Sequence, residues 1–146
     1  MKEKIILLVE DRQADIELTI ESLKENRLHN EVVVLRDGAQ ALDYLFGRGE
    51  FSDLGPNRMP TVVLLDLKLP KIGGLEVLRQ IRENKETKLI PVVILSSSKE
   101  ESDMIEGYQL GCNSYVIKPL DFDQFSSAIR SLELYWMLIN EEPPQI

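Results

Sequence analysis

The 146-residue sequence contains a single cysteine, Cys112, and a single histidine, His29. One cysteine excludes an internal disulfide and a cysteine-based metal cluster. The apolar run at residues 5–9 meets two acids before it is long enough for a signal peptide or a membrane span. We therefore expect a reduced, soluble, cytoplasmic protein in which His29 is a solvated loop residue and Cys112 fills space in the core.

Basic residues are also few, since 17 Lys and Arg stand against 25 Asp and Glu, and the formal net charge is −8. Because the Lys and Arg residues form no cluster, the sequence disfavours binding to nucleic acids or to anionic membranes. With 43% hydrophobic and 29% charged residues, the composition is that of a folded globular chain. No repeat or linker is visible, and we expect one domain over 1–140 followed by a disordered tail over 141–146.

Short apolar runs of strand length alternate along the chain with segments of helical periodicity. These runs are residues 5–9, 32–35, 62–65, 91–95 and 114–117. Such alternation predicts a doubly wound α/β fold, in which a parallel sheet carries helices on both faces. The Gly- and Pro-containing residues 47–60 predict a long loop between the second helix and the third strand.

Three polar signals mark the expected starts of helices. Asp11 is a candidate cap for the first helix, and the Ser98-x-x-Glu101 pattern fits a capping box for the fourth. Asp121 is expected to open a long last helix that ends near Asn140.

Polar residues follow four of the five predicted strands at their carboxyl ends. They are Glu10 and Asp11 after the first strand, Asp66 after the third, Ser96 after the fourth and Lys118 after the fifth. Because the carboxyl ends of parallel strands lie on one edge of the sheet, we expect these side chains to meet there. Each residue alone also fits a plain role as a turn residue, a helix-start charge or a solvated charge. All five at one edge point to a functional site, to which the second strand contributes nothing obvious.

Three neighbouring carboxylates repel one another unless a counter-charge is present. A divalent cation such as Mg²⁺ supplies that charge through oxygen ligands and keeps positions for water or phosphate oxygens. An ammonium and a hydroxyl beside such an ion suit a phosphoryl group, and an Asp carboxylate can be the nucleophile that forms an aspartyl phosphate. Positioning and electrostatics supply most of the acceleration of phosphoryl transfer. The cluster therefore predicts Mg²⁺-dependent phosphoryl chemistry with Asp66 as the acceptor.

Four motifs carry these residues, in this order: Val9-Glu10-Asp11, Asp66-Leu67-Lys68-Leu69-Pro70-Lys71-Ile72-Gly73-Gly74, Leu95-Ser96-Ser97 and Tyr115-Val116-Ile117-Lys118-Pro119. Together they resemble the receiver domain of two-component response regulators, and the resemblance runs from residue 4 to about residue 133. It implies a flavodoxin-like, CheY-like (βα)5 fold with strand order 2-1-3-4-5. It also implies a stand-alone signalling switch rather than an enzyme with a separate substrate.

The resemblance implies how the phosphoryl group arrives and how a metal is held. Asp66 is the implied phosphoacceptor, and the donor is a phosphohistidine on a sensor histidine kinase or a phosphotransfer protein. Glu10, Asp11 and Asp66 are the implied Mg²⁺ ligands, with the main-chain carbonyl of Lys68 as a further one.

The resemblance also implies how the switch operates. Lys118 would pair with the phosphoryl oxygens, and Ser96 would bond to one of them after transfer. Tyr115 matches the aromatic switch position, which turns inward when Ser96 moves toward the phosphate. The Lys118-Pro119 bond resembles the family's cis peptide, which costs little before a proline.

Part of the sequence is similar to the small regulators that are paired with bacterial phytochromes. The similarity lies in the extended loop 47–60, in Leu64-Leu65-Asp66-Leu67-Lys68-Leu69-Pro70-Lys71 and in Tyr135-Trp136. It implies that a phytochrome kinase is the cognate partner.

The last predicted helix is apolar around most of its circumference near its end. A core-facing stripe recurs at steps of three and four: Phe122, Phe125, Ile129, Leu132, Trp136 and Ile139. Leu134, Tyr135, Met137 and Leu138 project beyond that stripe, where either a neighbouring segment covers them or they form an exposed association patch. In the resembled family this helix belongs to the dimer face. We therefore expect a homodimer with Tyr135, Trp136 and Leu138 in its interface.

Two other classes of function remain open. A haloacid-dehalogenase-like phosphatase or phosphotransferase also forms an aspartyl phosphate, but it requires an Asp two residues after the nucleophile, where this sequence has Lys68. It usually carries a cap domain as well. A pseudo-receiver would keep the fold as a binding scaffold without chemistry, which the presence of all five site residues argues against. Incubation with Mg²⁺ and a small acyl phosphate separates the three: a stable adduct on Asp66 favours the signalling switch, steady phosphate turnover favours the phosphatase, and the absence of an adduct favours the pseudo-receiver.

Overall fold

The computed structural model describes residues 4–55 and 58–144. Its strands are β1 (Ile5–Val9), β2 (Glu31–Leu35), β3 (Val62–Leu65), β4 (Val92–Ser96) and β5 (Ser114–Ile117). Its helices are α1 (Gln13–Glu25), α2 (Gly38–Phe46), α3 (Gly74–Glu83), α4 (Glu101–Leu110) and α5 (Phe122–Leu134). All neighbouring strands pair in parallel, in the order β2-β1-β3-β4-β5. The predicted doubly wound fold and strand order are confirmed.

Alternate residues of the central strands point to opposite faces of the sheet and build two separate cores. On one face, Leu7, Val63 and Ile94 pack with buried residues of α2 and α3. On the other face, Ile6, Leu64 and Val93 pack with buried residues of α1 and α5. Burial on both faces explains why these strands are continuous apolar runs in the sequence.

Two of the predicted helix starts are wrong, and one is confirmed. The Asp121 carboxylate caps α5 by accepting a hydrogen bond from the Gln124 amide (3.0 Å). Helix α1 instead begins after Arg12 without a side-chain cap. Helix α4 begins after Glu100, also without one, because the Ser98 hydroxyl accepts from the Glu100 amide and donates to Asp103.

The end of the last helix departs from the predicted stripe. After α5 the chain forms a π-helical turn, Tyr135–Ile139, closed by a bond from the Asn140 amide to the Tyr135 carbonyl (2.7 Å). A π turn is wider than an α turn and rotates the side chains that follow it. Met137, predicted to project outward, is therefore buried, whereas Ile139, predicted to face the core, is 67% exposed.

Burial also corrects the opposite end of that stripe. Phe122 lies in the first turn of α5 and is 63% exposed, whereas Phe125 and Ile129 are buried as predicted. The predicted interface residue Trp136 is buried as well, with its ring edge-on to Tyr135 at 5.0 Å between centroids.

The long loop after α2 is tied to that helix by one arginine. The Arg58 guanidinium donates to the carbonyls of Tyr44, Leu45 and Gly55. The main-chain carbonyl of Arg58 accepts a hydrogen bond from the Tyr44 hydroxyl (2.7 Å). A short 3-10 helix, Gly49–Phe51, adds an edge-to-face contact between Phe51 and Tyr44. Loop residues 56–57 lie outside the described residues.

Residues 141–144 form neither helix nor strand, and the Glu142 carboxylate accepts a hydrogen bond from the Thr61 hydroxyl (2.9 Å). Residues 145–146 of the predicted tail lie outside the described residues. Among the helices described, none has both the length and the apolar character needed to cross a bilayer.

Candidate functional site

The carboxylates of Glu10, Asp11 and Asp66 meet at the carboxyl edge of the sheet. Strands β1 and β3 are neighbours, with Val9 opposite Leu65, so the residues that follow them leave the sheet side by side. One carboxylate oxygen from each of the three residues lies within 4.8 Å of the others. Glu10 and Asp66 are buried, and Asp11 is half-buried.

Lys118 reaches the same carboxylates from the end of β5, on the far side of β4. Its ammonium lies 2.5 Å from Glu10 Oε1, 2.9 Å from Asp15 Oδ2 and 3.5 Å from Asp66 Oδ2. Only 8% of the Lys118 side chain is exposed, so water screens these pairs little. The predicted meeting of Lys118 with the acidic residues is present in the structure.

The pKa values of Glu10 and Lys118 reflect this crowding. Burial raises the pKa of Glu10 to about 7, and the charge of Asp66 adds to the rise, although the hydrogen bond from Lys118 opposes it. The pKa of Lys118 is raised: burial alone would lower it, but the hydrogen bonds to Glu10 and Asp15 and the charge of Asp66 together outweigh that effect. Lys118 therefore stays an ammonium at neutral pH.

Ser96 and Tyr115 lie on β4 and β5 and are joined through Ser98. The fully buried Ser96 accepts a hydrogen bond on Oγ from the Ser98 amide (3.1 Å). The Tyr115 hydroxyl donates to the Ser98 carbonyl (3.1 Å). The connection from β4 to α4 is thus held by Ser96 at the end of β4 and by Tyr115 on the neighbouring strand.

The Lys118-Pro119 bond is trans, as are the other peptide bonds of the described residues, and the predicted cis bond is wrong. Trans is the intrinsically preferred form before a proline, by about 0.5–1 kcal/mol. The Lys118 amide donates to the Ser96 carbonyl (2.8 Å), so this trans backbone stays paired with β4.

The connection from β3 to α3 holds Lys68, whose side chain is exposed. Two glycines allow close backbone contacts with this connection. A Cβ at Gly38 would lie 1.9 Å from the Ile72 carbonyl oxygen, and a Cβ at Gly74 would lie 2.2 Å from the Asp66 carbonyl oxygen. The start of α2, after β2, therefore packs against this connection.

Sequence reasoning missed Asp15, the second closest carboxylate to the Lys118 ammonium. Asp15 lies four residues after Asp11, in the first turn of α1, and the start of this helix directly after the end of β1 brings Asp15 to the same edge. Its signal in the sequence is only this spacing, which is also that of an ordinary acidic residue at a helix start.

The donor chemistry of the acidic cluster fits a hard divalent cation. Three carboxylates provide oxygen ligands only, and such ligands suit Mg²⁺ and Mn²⁺.

Comparison with known proteins assigns the family. The response regulator receiver domain family matches residues 6–130. Response regulator Rcp1 of Synechocystis sp. is 40% identical over 134 residues, which are 92% of this chain and 89% of that protein. The chain belongs to the response regulator receiver domain family. Its function is that of a phosphorylation-dependent receiver in two-component signalling, partnered with a histidine kinase, and not that of a conventional enzyme.

Solved structures narrow the similarity to regulators associated with phytochromes. The phosphorylated cyanobacterial phytochrome response regulator RcpA has a TM-score of 0.91 at 39% identity, covering 97% of this chain and 99% of that one. The bacteriophytochrome response regulator RtBRR is 54% identical, with a TM-score of 0.77 and coverage of 97% and 85%. Rcp1 has also been solved in a Mn²⁺-bound form, with a TM-score of 0.90, 39% identity and coverage of 97% and 99%.

Proposed function

We propose that this receiver accepts a phosphoryl group on Asp66 from a phosphohistidine of its kinase or of a phosphotransfer protein. The observation that carries the proposal is the position of Asp66, which lies among two further carboxylates and 3.5 Å from the Lys118 ammonium. The folded receiver unit is proposed to span 1–140, with 141–146 as a tail.

The transfer requires little beyond positioning. A carboxylate oxygen of Asp66 attacks phosphorus as the bond from phosphorus to the histidine nitrogen breaks. The histidine ring, which carries a proton on its other nitrogen, leaves with the electron pair as neutral imidazole. Asp66 attacks as a carboxylate and gives up no proton. The Lys118 ammonium beside Asp66 is placed to pair with the phosphoryl oxygens as their charge approaches the buried carboxylate.

We propose Mg²⁺ as the cation of this site, held by Glu10, Asp11, Asp66 and the main-chain carbonyl of Lys68. A bound Mg²⁺ neutralises charge on the carboxylates and on the transferring phosphoryl oxygens. The three carboxylates support the assignment, as does the binding of the chemically similar Mn²⁺ by Rcp1. Calorimetric titration should show that one Mg²⁺ binds per chain. The substitution Asp11→Asn should weaken that binding at least about tenfold.

Ser96 and Tyr115 are proposed to be the switch. Ser96 is one hydrogen bond away from Ser98, and the Tyr115 hydroxyl holds the carbonyl of that same Ser98. A Ser96 hydroxyl that turns toward a phosphoryl group on Asp66 would release its bond from the Ser98 amide and thereby alter the segment that Tyr115 holds. Tyr115→Phe should still form the phosphoryl adduct. It should reduce the difference in the amide hydrogen exchange of α4 between the phosphorylated and the unphosphorylated protein.

The decisive experiment uses Mg²⁺ and a small acyl phosphate as the donor. The expected result is a stoichiometric adduct on Asp66 that is lost in Asp66→Asn. Asp103→Asn is the control and should retain the adduct, because Asp103 accepts a hydrogen bond from Ser98 and is not part of the acidic cluster. Continuous release of phosphate from many substrates would favour the haloacid-dehalogenase-like alternative. The absence of any adduct from the wild-type protein would favour a pseudo-receiver.

The donor is proposed to be a phytochrome histidine kinase in the cytoplasm. The proposal rests on the phytochrome regulators RcpA and RtBRR, to which nearly the whole chain is similar. Output is proposed to pass through protein contacts, since the net charge of −8 disfavours nucleic acid. Light-dependent transfer of phosphate from a co-purified phytochrome kinase to Asp66, set against transfer from an unrelated kinase, tests the pairing.

A homodimer through the end of the last helix is also proposed. Tyr135 is 47% exposed, Leu138 62% and Ile139 67%, so the π-helical turn presents an apolar strip of these three side chains to solvent. Trp136 is buried and supports Tyr135 edge-on, so its role in the proposed interface is to hold Tyr135 in place rather than to contact a partner.

A further inference from the structure

Three carboxylates surround the Lys118 ammonium, and an incoming phosphoryl group would compete with them for it. Its ammonium contacts Glu10 and Asp15 at hydrogen-bond distance and Asp66 at 3.5 Å. The closest of these, Glu10, is also one of the three carboxylates of the acidic cluster. Glu10 Oε1 accepts from this ammonium and Glu10 Oε2 accepts from the Arg12 amide (3.2 Å), so a divalent cation at Glu10 has to compete with bonds that the carboxylate already makes.

Asp15 differs from the other two acceptors of Lys118. It lies outside the group of three carboxylates formed by Glu10, Asp11 and Asp66. It belongs to α1, whose first turn is held against the core by the buried Ile16. Its carboxylate is 21% exposed and has no cation other than Lys118 within ion-pair distance among the described residues.

We propose that Asp15 is a positioning residue that becomes the main partner of the Lys118 ammonium when a divalent cation draws on Glu10, and that the ammonium has to leave Asp15 to reach the phosphoryl group. This inference rests on the proposed function of Asp66. Asp15 touches neither metal nor phosphoryl group, and it acts entirely through Lys118.

Two opposite effects follow from the loss of one contact. In Asp15→Asn the ammonium loses its alternative carboxylate, so a cation has to compete harder for Glu10, and Mg²⁺ binding should weaken by about threefold to tenfold. At saturating Mg²⁺ the same unpaired ammonium should engage the incoming phosphoryl group more readily. Phosphorylation of Asp66 by acyl phosphate should then be faster, again by about threefold to tenfold.

A general field effect of Asp15 would change both quantities in the same directions, so a double-mutant cycle is required. Asp15→Asn is combined with Lys118→Met, and calorimetric Mg²⁺ affinity is measured for all four proteins. If Asp15 acts through Lys118, its substitution has no effect on affinity in the Lys118→Met background. An equal loss of affinity in both backgrounds overturns the proposal.

Glu17→Gln is the matched control, because Glu17 is an exposed acid on the same helix and bonds to Gln13 instead of Lys118. It should leave Mg²⁺ affinity and phosphorylation rate unchanged. Asp15→Glu keeps the carboxylate and should restore at least part of both. Slower phosphorylation of Asp15→Asn at saturating Mg²⁺ would also overturn the proposal, because it would mean that the contact persists during transfer.

Adduct formation by the wild-type protein distinguishes a failure of the proposed function from a failure of the proposed role of Asp15. If it forms no adduct on Asp66, the proposed function fails. If it does form the adduct and Asp15→Asn behaves as the wild type, the role of Asp15 alone fails.

Discussion

Gly74 lies directly against the backbone of Asp66: a Cβ on Gly74 would be 2.2 Å from the Asp66 carbonyl oxygen and 2.7 Å from the Leu67 Cα. The Gly74 amide donates to the Leu67 carbonyl (2.9 Å), so α3 starts where the chain turns back on the end of β3. The position of the acceptor carboxylate thus depends on a residue without a side chain eight positions later.

Gly74→Ala should therefore both destabilise the protein and displace Asp66. The methyl group meets backbone, which cannot rotate away, so we expect the free energy of unfolding to fall by about 1–3 kcal/mol. The rate of phosphorylation by acyl phosphate should fall at least about tenfold, as expected for a misplaced reacting group. Urea unfolding and intact mass measure the two effects.

The neighbouring Gly73 provides the control. Its φ is −69°, and a Cβ there would be 3.8 Å from the nearest other atom, the Leu67 carbonyl oxygen. Gly73→Ala should leave stability within about 0.5 kcal/mol and the rate unchanged. Equal behaviour of the two variants would show that the close approach of Gly74 has no consequence for the site.

Mg²⁺ affinity should depend on pH through Glu10. Burial raises the pKa of this carboxyl to about 7, and a protonated carboxyl is a poor ligand. We expect affinity to fall below about pH 7, by at most about tenfold per pH unit, and to level off above it. Calorimetry across this range measures the slope, and Glu10→Gln should abolish it. An affinity that stays constant between about pH 5.5 and 7.5 would contradict the raised pKa.

The metal-free protein should show the opposite trend in stability. The pKa of Glu10 is about 7 in the folded state against an ordinary value of 4.5, so the folded state binds more protons between these two pH values. The contribution of Glu10 to the free energy of unfolding is therefore greatest below about pH 4.5 and is lost as pH rises toward about 7. Glu10→Gln should remove this part of the pH dependence in urea unfolding.

Arg82 joins three segments at the edge of the sheet opposite to the acidic cluster. Its guanidinium donates to the carbonyls of Gly111, Lys88 and Ile90 and to the Asn113 side chain, over 2.7–3.0 Å. Arg82→Met keeps much of the side-chain volume but removes every donor. We expect the free energy of unfolding to fall by about 2–3 kcal/mol, measured in urea.

Arg79, one turn earlier on α3, is the matched control for Arg82. Among the described residues, its exposed guanidinium forms ion pairs only with Glu76 and Glu83 of its own helix. Arg79→Met should cost less than about 1 kcal/mol, because exposed ion pairs contribute little. If the two variants lose equal stability, the hydrogen bonds of Arg82 are not what hold these segments together.

The proposed dimer should depend on Leu138. Leu138→Glu places a charge in the exposed apolar strip. In sedimentation velocity at a protein concentration on the order of 10⁻⁵ M, we expect this variant to be a monomer and the wild type to be a dimer. Leu89→Glu is the control, because Leu89 is 50% exposed outside that strip and its change should leave the dimer intact. A wild-type protein that is monomeric with and without phosphorylation would contradict the interface itself.

Local sequence signals predicted the elements well where one interaction dominates. Continuous apolar runs identified the strands, and Asp121 identified the start of α5, because burial and a side-chain cap act over a few residues. The capping box predicted at Ser98 was wrong because the Ser98 hydroxyl bonds to Asp103 and the Ser98 carbonyl bonds to Tyr115, which lies on β5. The π-helical turn was missed because no local pattern distinguishes it from the end of an α-helix.

By itself, the sequence determined the alternation of strands and helices, and with it the edge at which Glu10, Asp11, Asp66, Ser96 and Lys118 gather, since a parallel topology collects every strand end on one side. Only the tertiary structure decided which of those groups contact one another and which further residues they contact. It placed Asp15 on the Lys118 ammonium, pressed Gly74 against Asp66 and turned Met137 inward and Leu138 outward. These outcomes depend on packing between segments distant in the chain, on the burial that sets the pKa of Glu10 and on the width of one helical turn, none of which a local pattern of residues specifies.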